Sequence, residues 1–416
     1  MKIGRTLLSK LSRRIDQVMD NLGRTVASQT SPTRENSSSA TSSVLKEDEK
    51  PRTMVAPKEE VIRYIADSLM KVGASKEDAV TVGEHLFTAD YRGHFSHGMN
   101  RMEMYVQDVV KKLTDPKAKP RIITDFKAVA TVDGMNGFGQ VTGKYCMELA
   151  MKKAKEYGIG MVACRGSNHY GIAGYYSLMA MSENLFGFSC TNTSPLMAPT
   201  RSRAAALGTN PISLGARGST SNDDFVLDMA TTCVALGKME LASRKGEPIP
   251  EGWALGADGK PTVDAAEAVR TACLMPLGGE ERNSGYKGYG MALMVEVLCG
   301  ILTGSKFGPN IRKWDSSSGD VVADLGHCFV AIDPDAFVPG SRDRLTDLVG
   351  LLRGLPTAGD MPVLIPGDPE RGHMRKVDRE GGITYHDNQI KASKLFAEKL
   401  GVEPMRLVEK RIRNDH

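Results

Sequence analysis

The chain reads as an α/β protein, because short apolar strands alternate with helical segments of 3.6-residue period and several strands empty into polar, glycine-spaced loops. A third observation separates it from the standard dinucleotide fold. Residues 128–143 read AVATVDGMNGFGQVTG, a strand followed by glycines. However, Gly137 and Gly139 are followed by Gly143 instead of a glycine at position 142, and no acidic residue ends a next strand about 20 residues on.

With 416 residues, 41% of them hydrophobic, the chain has room for a large core and two or three packing units. A net charge of +4 is small for this length and sits partly in the first fifty residues, so no nucleic acid and no membrane surface is expected as a partner. Seven scattered cysteines without a C-x-x-C pair argue against a disulfide framework and for a reducing compartment. The longest apolar stretch, 291–302, contains Glu296 and falls short of the roughly 18 residues of a spanning helix, which predicts a soluble protein.

Residues 1–54 form a basic and then serine-rich extension with a disordered composition. Its first thirty residues resemble a transit peptide, weakened by Asp16 and Asp20; the cytoplasm is the expected compartment and mitochondrial import the alternative. Pro57 suits a first helical turn, Val61, Ile62, Ile65 and Leu69 make one apolar face, and Gly73 ends it. Ser75 starts a second helix whose Val82, Leu86 and Ala89 run into the stretch DYRGHFSHGMNR, residues 90–101. That stretch places an imidazole (His97), a hydroxyl (Ser96), a glycine and two guanidiniums together. An imidazole exchanges protons near neutral pH and a guanidinium holds a carboxylate through two parallel hydrogen bonds, the pairing a hydroxy or keto acid requires. His97 is a proton carrier or a polar residue closing the helix; residue types alone leave both open. The His94 and His97 pair lacks a cysteine or second ligand pair, so no metal is expected.

A strand at 158–164 delivers the loop RGSNHYGIAGYY, in which His169 is a second acid–base candidate or a helix-capping histidine. A strand at 185–190 precedes TNTSP, LGTNP follows at 207–211, and FVLDMATT at 225–232 repeats the design of hydroxyls, amides and a carboxylate at strand ends. Residues 237–261 read as a long ordered loop, and GYKGYG at 285–290 as the opening of the apolar helix 291–302, where backbone N–H groups and Lys287 would attract an anion. A strand at 329–333, a helix around 345–352, a loop at 366–371 and a last amphipathic helix from about Asn388 complete the chain.

Together RG-x-x-SHG-x-x-R (92–101), SNHYG-x-AGYY (167–176), NTSPLMAP (192–199), LGTNP, LDMATT, IPEGWALGADGKPT (249–262), PLGG (276–279) and GYKGYG resemble the type 2 malate/L-lactate dehydrogenase family of NAD(P)-dependent oxidoreductases. That resemblance implies a mixed β-sheet with a non-Rossmann NAD(P)-binding domain and a discontinuous helical domain built from both chain ends. The expected parts are the extension (1–54), an N-terminal helical part with the SHG motif (55–125), a cofactor-binding domain (126–285) and a C-terminal part returning to the first (286–416). It implies a homodimer that interconverts a small-molecule L-2-hydroxy acid of malate or lactate type and its 2-keto acid. His97 would move the proton, with His169 given that role in some members. Arg101 would hold the C1 carboxylate, and Ser96, Asn168 and His169 would orient the oxygen. Arg92, Arg165 and Lys287 are candidates for a second carboxylate. Cofactor contacts would map to Ser194, Asp228, Met229, Ala230, Leu277, Gly278, Gly367, Asp368 and Pro369. NAD is the expected cofactor and NADP the alternative, with Arg201 and Arg203 near enough in sequence to meet a 2′-phosphate. The alternative activities are reduction of a cyclic imino acid and a catalytically silent cofactor-binding scaffold.

Overall fold

Alternation along one apolar strand organises the molecule: Phe329 and Ala331 face one side and Cys328 and Val330 the other, so both faces of β10 (Leu325–Ile332) need cover. The computed structural model describes residues 53–313 and 321–411. The basic extension and its targeting reading fall almost wholly outside them.

Seven strands form the main sheet in the order β2 (Arg121–Phe126), β3 (Val129–Asp133), β4 (Ile159–Ser167), β10, β5 (Phe186–Thr191), β6 (Ile212–Ala216), β7 (Phe225–Met229). Only β3 and β4 run parallel, joined through a crossover helix, and every other pair is antiparallel. This is the mixed sheet that the sequence implied, and a Rossmann arrangement of parallel strands is absent from it. On one face, Cys146, Met147, Ala150 and Ala154 of the crossover helix (Gly139–Tyr157) and Tyr176 of the helix Gly174–Ser182 cover Val132, Val162 and Phe329. On the other, the helix Gly285–Glu296 and the π-helical turn Val297–Ile301 put Val295 and Cys299 on Cys190 and Cys328.

The helical layer draws on both chain ends. Helices α1 (Lys58–Lys71), α2 (Lys76–Tyr91) and α3 (Met102–Val110) share one core with Ile383 and with Phe396, Ala397 and Leu400 of the helix Asp387–Leu400. Ser75 caps α2 as expected, its hydroxyl accepting the Asp78 N–H. Two short pairings close the layer: Met54–Val55 with Val408–Glu409, and Ala56 with Ile383.

Two sequence expectations require correction. Residues 237–261 are not one long loop, since Leu236–Lys245 is a helix that buries Met239 against Val234, Ile249 and Leu274, with Gly246 ending it in the left-handed region. The loop expected at 366–371 is the start of a helix, Asp368–Glu380, which buries only Val377 and so carries no apolar periodicity to read. The segment GYKGYG lies inside a helix because Gly285 and Gly288 let it press against the backbone of Gly279 and Leu277. Among the described residues no helix is long and apolar enough to cross a membrane.

Phe329 is fully buried and meets Tyr176 edge-on, whereas Phe126 is 68% exposed on the edge strand β2. Phe329→Ala is expected to lower unfolding free energy by about 3–5 kcal/mol in urea titration. Phe126→Ala should change it by no more than about 0.5 kcal/mol.

Candidate active site

After α2 the chain makes two single 3₁₀ turns, Phe95–His97 and Met99–Arg101, on either side of Gly98. A Cβ at position 98 would collide with the Asp90 carboxylate, so the turn requires glycine here. Asp90 is fully buried, and its Oδ2 accepts the Met99 N–H (2.9 Å) and the Tyr385 hydroxyl (2.7 Å). Burial pushes this carboxyl up to about 7, opposed by those two hydrogen bonds.

The same turns place the candidate chemistry. His97 Nδ1 meets Ser96 Oγ at 2.9 Å, and Arg101 Nε donates to the Ser96 carbonyl at 2.6 Å. The His97 ring stacks on His169, centroid to centroid 5.7 Å and 25° from parallel. Although one edge of the His97 ring opens into a cavity, surrounding protein desolvates it, and this, followed by the Arg101 and His94 charges, holds its pKa down at about 3. His169 lies well below its ordinary value for the same first cause, with His97 and Arg101 adding.

Hydrogen bonds assign the state of His169. The Gly171 N–H points at Nδ1 (3.3 Å), as does the Tyr105 hydroxyl (2.8 Å), so Nδ1 is an acceptor and the neutral ring carries its proton on Nε2. Gly139 is required behind it, because a side chain there would enter the Asn168 and His169 carbonyls. The glycines after β3 thus serve to bring a helix start against the SNH loop.

A cavity of about 550 Å³ joins these parts. Ser96, His97, Arg101 and His169 line it together with Thr191, the last residue of β5, Thr193 and Ser194 just beyond it, and Asp228, Met229 and Ala230 at the end of β7. Burial raises the Asp228 carboxyl to about 6, against the Gly174 N–H and Arg92, and its Oδ2 has no hydrogen-bond partner. Nine other expected site residues lie outside the lining. Arg92 is buried beneath it, donating to Met374 Sδ. Asn168 donates its amide to the Gly137 carbonyl (2.9 Å) and Asn136 Oδ1 (3.1 Å), bracing the turn behind His169. Leu277 bonds through its backbone to Thr231, and Gly278 takes φ +97 against Gly285. Gly367 (φ +102) caps the helix that Asp368 and Pro369 begin, and Asp368 holds Arg353 (2.9 Å) and Arg371 (2.6 Å). Arg165 pairs loosely with Asp133 (3.6 Å), and neither it nor Lys287 reaches the lining. Arg312, which no motif marked, does line the cavity, paired through both terminal nitrogens with Asp108. Its only advance signal is charge, and its partner is 204 residues away. Among the described residues no three His, Cys, Asp or Glu side chains gather to hold a metal ion.

The cavity fits a nicotinamide cofactor beside a small acid. A row of strand-end hydroxyls and an unpartnered buried carboxylate oxygen suit an amide and ribose, while Arg101 in one lining with two histidines suits a carboxylate with an adjacent oxygen. The sequence profile described as malate/L-lactate dehydrogenase matches residues 56–392. Over 300 residues, 71% of this chain and 81% of the relative's length, the sequence is 44% identical to a malate dehydrogenase of Pyrococcus abyssi. The solved structure of a sulfolactate dehydrogenase from Methanocaldococcus jannaschii superposes with a TM-score of 0.76 at 37% identity, covering 84% of this chain and 98% of that one. A malate dehydrogenase structure from Entamoeba histolytica gives 0.79 at 32% identity, covering 85% and 99%.

His327 backs the site, fully buried between Thr191 Oγ1 and Ser167 Oγ, each at 2.7 Å, and burial holds it at about 3. It stays neutral in the fold while the unfolded chain protonates below about 6.5, so its contribution is lost as pH falls from that value toward 3. Replacing it by His327→Gln should make the loss of stability between about pH 7.5 and 5 smaller by about 2 kcal/mol, read from urea unfolding at each pH.

Proposed function

Because the chain belongs to the malate/L-lactate dehydrogenase family and is an oxidoreductase interconverting 2-hydroxy acids and 2-keto acids, we propose that His97 carries the proton and Arg101 the substrate carboxylate in that reaction. The observation that carries this reading is the stacked His97–His169 pair on the wall of the cavity that also holds Arg101 and the strand-end hydroxyls. Arg101 receives the C1 carboxylate in its guanidinium fork, oriented by its bond to the Ser96 carbonyl. His169, fixed as an Nε2–H donor, points a hydrogen bond at the C2 oxygen. His97, aligned by Ser96, gives that oxygen a proton in reduction and removes it in oxidation. A bound nicotinamide supplies or accepts the hydride at C2. Thr193, Ser194 and Asp228 would hold it.

We assign NAD in preference to NADP. Arg201 is engaged by Glu281 through two hydrogen bonds of 2.8 and 2.7 Å, and neither Arg201 nor Arg203 lines the cavity, so neither of the two cations expected for a 2′-phosphate faces the site. We also assign a homodimer. Leu293, Met294, Val297, Ile301 and Leu302 are 39–57% exposed along one helix and its continuation, an apolar stripe that a second copy would cover.

A panel of pyruvate, oxaloacetate, sulfopyruvate and a cyclic imine, assayed with NADH and NADPH, tests the reading. Turnover of a 2-keto acid with NADH is expected. Reduction of the imine alone would replace it, and no turnover with any substrate would refute it. His97→Ala should cut turnover by about 10²–10⁴-fold while leaving NADH affinity nearly intact. Since the imidazole is held neutral, kcat/KM for reduction should rise as pH falls from 8 toward 5, and His97→Ala should abolish that rise. Val297→Asp should convert a dimer to monomers in light scattering; an unaltered mass would remove this stripe from the interface.

A further inference from the structure

The segment that returns from the C-terminus does more than complete a core, since it grips the 90–101 stretch directly. Tyr385 reaches Asp90 from 295 positions away and sets its ring edge-on to Phe95, at 6.2 Å, while Gln389 donates to Asn100 at 2.9 Å. The Tyr385 hydroxyl and the Met99 N–H converge on one oxygen of Asp90, and Gly98 packs on the other. Burying a carboxylate costs free energy that an apolar contact would avoid, so core packing alone gives no reason for this group. What it supplies is direction. A hydrophobic side chain could hold the two segments together but would leave the buried Met99 N–H unpaired and the turn between His97 and Arg101 free to rotate.

We propose that Asp90 and Tyr385 are positioning residues for the reaction: the hydrogen-bonded chain from Tyr385 through Asp90 to Met99 fixes the 3₁₀ turns that hold His97 and Arg101 toward the cavity. Neither side chain lines the cavity, and both act through the turn. The inference rests on the roles given above to His97 and Arg101, and it extends the site to a residue far outside the SHG motif.

Tyr385→Phe in the full-length protein removes one hydroxyl and keeps the ring on Phe95. The expected result is a fall of about ten-fold in kcat/KM for the 2-keto acid, with NADH affinity by fluorescence titration changed by less than about two-fold. The imidazole nitrogen NMR signals of His97 should shift while those of His169 hold. Asp90→Ala should lose more, and Asp90→Asn, which keeps an acceptor for both donors, should recover most of that loss. Wild-type kinetics with unmoved His97 signals in Tyr385→Phe would overturn the proposal. So would parallel losses of keto-acid turnover, NADH affinity and melting temperature, the pattern of a purely structural role. A wild-type protein that reduces no 2-keto acid would refute the proposed function alone, and the His97 signals would still decide whether this chain positions the turn.

Discussion

A single buried carboxylate holds the geometry of the site. Asp90 sits where no water reaches, and the donors available to it are a backbone amide nine positions ahead and a tyrosine hydroxyl from near the chain's end. Because an unmet buried charge is so costly, those partners constrain one another. The turn must bend at Gly98, the C-terminal segment must dock, and the strand-like pairings of Met54–Val55 and Ala56 must close behind it. The discontinuous helical layer is therefore part of how the cavity wall is made.

The opposite wall depends on the sheet. β4 ends in the SNH loop, and close backbone approach at Gly139 together with the bonds of Asn168 and His327 keeps that loop in place. Three desolvated imidazoles, His97, His169 and His327, all lie well below their ordinary pKa, so the cavity's positive charge at neutral pH comes from arginine and lysine. In the proposed reaction an incoming carboxylate would meet the Arg101 guanidinium, and its own negative charge would then favour protonation of the imidazole beside it.

Much of this was legible in the residues. The Ser75 cap, the apolar faces of the first two helices and the strands before SNH and LDMATT follow from local chemistry, and each stands in the fold. Other elements gave no local signal. β2 is exposed along its whole length and so shows no alternation, and the helices Leu236–Lys245 and Asp368–Glu380 each bury one side chain. In the site, His97, His169, Arg101, Ser194 and Asp228 do meet at one cavity, whereas Arg92 and Asn168 turned inward to brace it and Arg312 entered unannounced.

By itself the sequence determined which groups were available: an imidazole beside a guanidinium on a helix end, a second imidazole after a strand, and small polar residues at strand ends, all consequences of local spacing. Only the tertiary structure decided which of them face the cavity, which nitrogen of His169 carries its proton and how weakly His97 holds one. Those properties depend on desolvation and on hydrogen-bond direction. Both are set by groups such as the Tyr105 hydroxyl and the Gly171 amide, which meet the His169 ring only after the chain has folded.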